Sequence, residues 1–151
     1  MGKRRKSRAL ALQTLYQWNI TRKDVRQILA QLRTHFSPEG EEDEFGEQDE
    51  FAEQIVLGVL EHCGQLDQRI EACSEHWRLD RMSLIDRNIL RIATFELLYC
   101  AETPPKVILN EAIDLGKRFG SDDSGSFING ILDRIQRELG HKSETEQGTQ
   151  N

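Results

Sequence analysis

LIDRNILRIATFELLYC, residues 84–100, is the longest apolar-periodic stretch of the chain. Leu84, Ile85, Ile89, Ile92, Ala93 and Leu97 recur at helical spacing. They cover so wide an arc that this helix must be buried on more than one side. A helix of that kind is the centre of an all-α domain. Ser83 before it, with Asp86 three residues on, has the pattern of a capping box. Pro104-Pro105 ends the helix and opens the next, since proline suits the first helical position.

Downstream, Val107, Ile108, Ala112, Ile113 and Leu115 mark a sixth helix, with Gly120 as the residue just past its end. SDDS, residues 121–124, supplies an N-cap for a seventh, whose inward residues are Phe127, Ile128, Ile131, Leu132 and Ile135. Gly140 is expected to end it, leaving residues 141–151 as a disordered polar tail. Upstream, a fourth helix spans about residues 66–76 and faces inward with Leu66, Ile70, Cys73 and Trp77. A third spans about residues 50–63, with Phe51, Ile55, Val59 and Leu60 inward and Gly64 as its breaker. The second opens at Thr21, carries Val25, Ile28, Leu29, Leu32 and Phe36, and stops at Pro38. In the first, Arg8, Ala11, Leu12, Leu15, Trp18 and Asn19 fall three and four residues apart, so Leu12, Leu15 and Trp18 form a core stripe. No alternating strand pattern and no fixed-period repeat stands out. About seven helices in one domain, residues 1–140, is the expectation.

The net charge of −6 hides a segregation. Residues 1–33 hold nine Lys and Arg and one acid, Asp24. Residues 39–53, EGEEDEFGEQDEFAE, hold nine acids and no base. The stretch 39–50 can bury little and is expected to be a mobile loop. A basic patch on an acidic body is a more specific sign of a polyanion partner than uniform basicity. Three cysteines, Cys63, Cys73 and Cys100, make no disulfide framework and suit a reducing cytoplasm. No apolar run approaches a membrane span, and Gln13, Gln17 and Asn19 interrupt what a signal peptide would need.

Signals of catalysis are almost absent. The sequence has no glycine-rich phosphate loop, nucleophile elbow or dinucleotide fingerprint, so no enzyme and no cofactor is expected. His62, Cys63, Cys73 and His76 could be drawn as a metal set, but Cys63 and Cys73 sit on apolar stripes, where cysteine behaves as a small hydrophobe. SDDSGS lacks the closing Glu of a calcium loop.

The basic start is the better lead. If the first helix begins there, Arg4, Arg5 and Arg8 cluster at a helix N-terminus, where the dipole disfavours cations. Their presence argues for an external anion, against the plainer reading of a solubilising tail. Tyr16 lies on the flank of the same stripe and is either a core edge or a ring that stacks on a nucleobase. Phe119 and Phe127 flank the polar turn 120–126, as core residues or as a base-binding platform. On the core reading Asp122 and Asp123 are ordinary N-caps.

RRKSRALALQTLYQW, IDRNILRIATFEL and PPKVILNEAIDLGKRFGSDDSGSFINGILDRI together resemble the NusB family of bacterial transcription antitermination factors. The last stretch is the most specific: V-x-x-N-E-A-I-x-L-x-K-x-F-G followed by F-x-N-G-x-L-D. The resemblance covers about residues 3–139, with the second helix and the acidic loop matching little. It implies two stacked three-helix bundles, and binding of the boxA element of nascent rRNA together with NusE, a small-subunit ribosomal protein, within the RNA polymerase antitermination complex. It implies that Arg4, Arg5 and Arg8 contact phosphates, and that Tyr16, Phe119, Asp123 and Phe127 lie near RNA. The fifth helix would face NusE, Asp86 first, then Glu96 and Tyr99. Some relatives pair into homodimers that hide the RNA surface. Two alternatives stay open: a protein-only helical adaptor, and a stand-alone relative of the RNA-binding module of rRNA cytosine methyltransferases.

Overall fold

The computed structural model describes residues 3–36, 45–75 and 77–148. Pro38, His76 and the first part of the expected acidic loop, residues 39–44, lie outside the described residues. Seven helices are assigned among those described: α1 (Lys3–Thr21), α2 (Val25–Phe36), α3 (Phe45–Glu61), α4 (Cys63–Cys73), α5 (Leu84–Tyr99), α6 (Pro105–Phe119) and α7 (Ser124–Gly148). A single 3₁₀ turn, Leu79–Arg81, precedes α5. Helices α1, α2 and α3 pack together, as do α5, α6 and α7, while α4 lies against α5 and α7. Helix α5 touches α1 and α3 as well, which joins the two groups.

The central place of α5 follows from its sequence. Every residue from Asn88 to Glu96 is buried. Ile89, Leu90 and Ile92 enter the larger core with Leu12, Leu15, Ile55, Leu66, Ile70, Ile108, Leu115 and Leu132. A smaller core of Leu10, Ile28, Leu29, Leu32 and Ala52 fills the space among α1, α2 and α3, and Trp18 packs against both. Ser83 caps α5, its hydroxyl accepting from the Asp86 N–H at 3.1 Å.

Several boundaries differ from the sequence reading for local reasons. Helix α1 runs on to Thr21, whose hydroxyl donates back to the Gln17 carbonyl. Asp24, not Thr21, starts α2: its carboxylate accepts from the Arg26 N–H and its carbonyl from the Ile28 N–H. Between them Arg22 takes a left-handed φ of 59°. Helix α3 begins at Phe45, inside the stretch expected to be a loop; acids in a helix's first turns are favoured by its dipole. The α3–α4 break falls at His62 rather than Gly64. Helix α4 ends at Cys73, before Trp77, which is exposed and not in the core. Helix α7 continues through Gly140 to Gly148, so within the expected tail only residues 149–151 lie outside the described residues. A helical glycine costs about 1 kcal/mol and does not by itself stop a helix.

Candidate nucleic-acid interface

Helix α1 lays its first turns across the end of α5 and the start of α6. The three arm arginines meet three different environments there. Arg8 is 3% exposed and Glu96 1%. The Arg8 guanidinium donates from Nη2 to Glu96 Oε1 at 2.7 Å and from Nε to Oε2 at 2.9 Å. This two-point pair lies inside the protein. Arg8, expected to contact phosphate, and Glu96, expected to face NusE, are thus buried against each other here. The pair joins α1 to α5.

Arg5 is half exposed and reaches α6. Its Nε and Nη2 donate to the Glu111 carboxylate at 3.0 and 3.1 Å, and Asp114 lies 3.8 Å away. The Glu111 hydrogen bond, followed by the charges of Glu111 and Asp114, raises the Arg5 pKa above its ordinary value. Arg4 is exposed, donates from Nη1 to Thr103 Oγ1 at 3.1 Å, and holds its guanidinium 4.5 Å from the centre of the Phe51 ring. Arg4, Arg5, Arg8, Thr103 and Glu111, with Glu102, Pro104 and Val107, line an open cleft of about 360 Å³.

A carboxylate continues the surface toward the aromatic turn. Asp114 lies 3.9 Å from Arg118, whose guanidinium sits 5.1 Å from the centre of the Phe119 ring. Gly120 then lets the chain turn tightly: its φ of −97° is ordinary, but a Cβ there would overlap the Ser124 side chain. The Ser124 hydroxyl accepts from the Ser121 N–H at 2.9 Å and fixes the turn. Asp122 and Asp123 are exposed, and the Asp123 carbonyl accepts from the Phe127 N–H. Phe119 and Phe127 are half-buried, each with part of its ring packed on the core. Tyr16 is 37% exposed. It stands eleven positions beyond Arg5, near the same edge of α1.

Asp86 and Tyr99 occupy other places. Asp86 is half-buried in the first turn of α5, and its Oδ1 has no hydrogen-bond partner among the described residues. Tyr99 is 42% exposed, stacks on His62 with ring centres 4.3 Å apart, and donates from its hydroxyl to Gln65 Oε1 at 2.8 Å.

The sequence reading passed over Glu111, Asp114 and Phe51, the groups that position Arg4 and Arg5. Glu111 and Asp114 stand three apart on the polar side of α6, a visible spacing that carries no sign of which base it meets. It also passed over the polar spine of α5. Arg91 donates to both Asp67 oxygens at 2.8 and 3.0 Å and to Asn88 Oδ1 at 3.1 Å, and the Asn88 amide donates to Asn19 Oδ1 at 2.9 Å.

Bases and aromatic rings set along one edge of a helical scaffold are the equipment of a nucleic-acid-binding protein. No helix among the described residues is long and apolar enough to cross a membrane. The NusB family model matches residues 5–137. The transcription antitermination protein NusB of Desulfosudis oleivorans is 43% identical over 93% of this chain and 89% of its own length. That of Geobacter sp. strain M21 is 46% identical over 89% of this chain and 94% of its own. Among solved structures, T. maritima NusB superposes with a TM-score of 0.78 at 37% identity, covering 89% of this chain and 91% of its own. A second has a TM-score of 0.77 at 24% identity, covering 90% of this chain and 97% of its own; it comes from a complex of antitermination factors NusB and NusE with dsRNA and shows the shared fold. The chain belongs to the NusB family of transcription antitermination proteins.

Proposed function

We propose that this chain binds the boxA element of nascent rRNA transcripts together with NusE and, within the RNA polymerase antitermination complex, promotes processive rRNA transcription. The observation that carries the reading is identity above 40% to transcription antitermination proteins over nearly the whole chain. The geometry supports a division of labour. Arg4 and Arg5 exchange Thr103, Glu111 and Asp114 for RNA phosphates. Phe119, Phe127 and Tyr16 offer ring surface to bases, and Asp123 offers a carboxylate on the turn between the two phenylalanines. Asp86 and Tyr99 face NusE. Arg8 and Glu96 act indirectly, as the brace that fixes the arm's direction.

Titration of boxA RNA with the chain, with and without NusE, tests the reading. It expects a retarded RNA complex that NusE tightens. A chain that binds NusE yet shifts no boxA RNA under either condition is a protein-only adaptor, and the reading fails.

A further inference from the structure

Trp77 falls in phase with Leu66, Ile70 and Cys73, so one more turn of α4 would carry it into the core. The chain does not take that turn. Helix α4 stops at Cys73, Glu75 adopts a left-handed φ of 28°, and Trp77 is left 53% exposed. Leaving so much indole in water opposes folding, yet Ser74, Glu75 and Trp77 each have a bonding partner. The Trp77 N–H donates to the Ser74 carbonyl, and the Ser74 hydroxyl donates to the Trp77 carbonyl. Arg134 of α7 donates to the Cys73 carbonyl at 3.3 Å and pairs with Glu75 at 2.9 Å. The indole lies beside Phe127 of α7, with ring centres 6.1 Å apart and planes at 82°.

We propose that Trp77 is a base-stacking residue for single-stranded RNA, extending the surface of Phe127 across the α4–α5 connection. The proposal rests on the RNA-binding reading above. Phe127 is half-buried and stands nearly perpendicular to the indole, whose remaining exposed surface is open to a base. Arg78, the next residue, is strongly exposed, its Nε 4.0 Å from an Asp80 carboxylate oxygen; at so exposed a site a passing phosphate can take that cation over. A protein partner would call for a contiguous apolar patch. Among the described residues the other large exposed apolar side chains, Tyr16, Ile20, Tyr99 and Val107, belong to α1, α5 and α6, so on this segment Trp77 stands alone. A solitary ring flanked by an arginine suits a base better than a protein face.

The chain has two tryptophans, Trp18 and Trp77, so Trp18→Phe leaves Trp77 as the sole indole. With NusE present, single-stranded boxA RNA should quench its emission along the same isotherm as binding. Subtracting the spectra of Trp77→Phe from those of the parent gives the same readout should Trp18→Phe fold poorly. Trp77→Ala should weaken RNA binding about tenfold, Trp77→Phe should recover most of the loss, and NusE affinity should be unchanged. An RNA-binding parent with unquenched Trp77, or a Trp77→Ala variant with parental RNA affinity, overturns the proposal and leaves the RNA reading standing. Loss of NusE binding in Trp77→Ala, with RNA affinity intact, makes the ring a protein contact and also overturns it. A parent that binds no RNA overturns both.

Discussion

Arg5 and Arg8 stand three positions apart and have opposite fates. Arg5 pairs with Glu111 at the surface; Arg8 is sealed against Glu96, eighty-eight positions away. Glu96→Ala leaves the Arg8 charge buried and unpaired, and should cost about 3–5 kcal/mol in urea unfolding. Replacing both residues, Arg8→Met with Glu96→Leu, should recover most of that loss, because no charge is then stranded. Arg5→Ala should leave the melting temperature nearly unchanged. The sequence did contain a sign of this difference: Arg8 shares the spacing of Leu12 and Leu15, the phase of the core. What spacing cannot show is the partner that makes a buried cation tolerable. The cysteines give a second prediction. Burial, with Glu138 adding to it, pushes the Cys73 thiol up to about 11; burial, with Glu96 and Glu102 adding, pushes Cys100 up to about 11. The folded state thus keeps protons that unfolded cysteines release near pH ~8.5. Their contribution is present below that pH and is lost as pH rises toward about 11. Urea unfolding at about pH 8 and about pH 10 should show a smaller drop in a Cys73→Ala, Cys100→Ala double variant than in the parent.

Helices were legible where apolar spacing and a breaker agreed, as for α5 between Ser83 and Pro104. They were misjudged where a residue type spoke for itself. Gly64 looked like a stop but sits in the first turn of α4, because the break is made by the His62 backbone. Trp77 looked like core because its phase was right and its helix had already ended. Close helix approach was the least visible feature. Gly58 lies toward the end of α3 against α5, and a Cβ there would overlap the Phe95 ring. That ring is buried, and the stacked His62 and Tyr99 lie beside it, so it has little room to yield. Gly58→Ala should destabilise by about 1–3 kcal/mol through overpacking, although alanine is the better helix former. Phe95→Leu should relieve part of that cost, and a double-mutant cycle on unfolding midpoints should show coupling of about 0.5 kcal/mol or more. Additive effects would mean that the two helices can move apart.

Helix α1 runs antiparallel to α5. Arg8 near its start meets Glu96 toward the end of α5, and Asn19 near its end meets Asn88 toward the start. The basic arm and Asp86 therefore lie at opposite ends of one helix pair, with Asp86 about 15 Å along α5 from Glu96 at about 1.5 Å per residue. In the proposed reading RNA lies at the arm and NusE reaches Asp86 at the far end, while Tyr99, three residues beyond Glu96, stands at the arm's end of α5. The proposed division rests on the family resemblance, since charge segregation alone shows a basic arm and says nothing of Asp86. Asp86→Lys reverses the charge of a half-buried carboxylate whose Oδ1 is buried with no donor among the described residues; because a helix's first turn favours an acid over a base, the variant's melting temperature is measured first. It should slow NusE association and weaken the complex, with RNA affinity of the isolated chain nearly unchanged. Arg4→Ala with Arg5→Ala should do the reverse. RNA binding should weaken by a similar factor for every sequence, and the slope of log affinity against log salt should flatten by about 0.7 for each single-strand phosphate that is no longer neutralised. One titration series of both variants against RNA alone, NusE alone and the two together measures all of this. If Asp86→Lys bound NusE as the parent does, or if the arginine variant kept the parental salt slope, the two ligands would not be divided along the α1–α5 pair in this way.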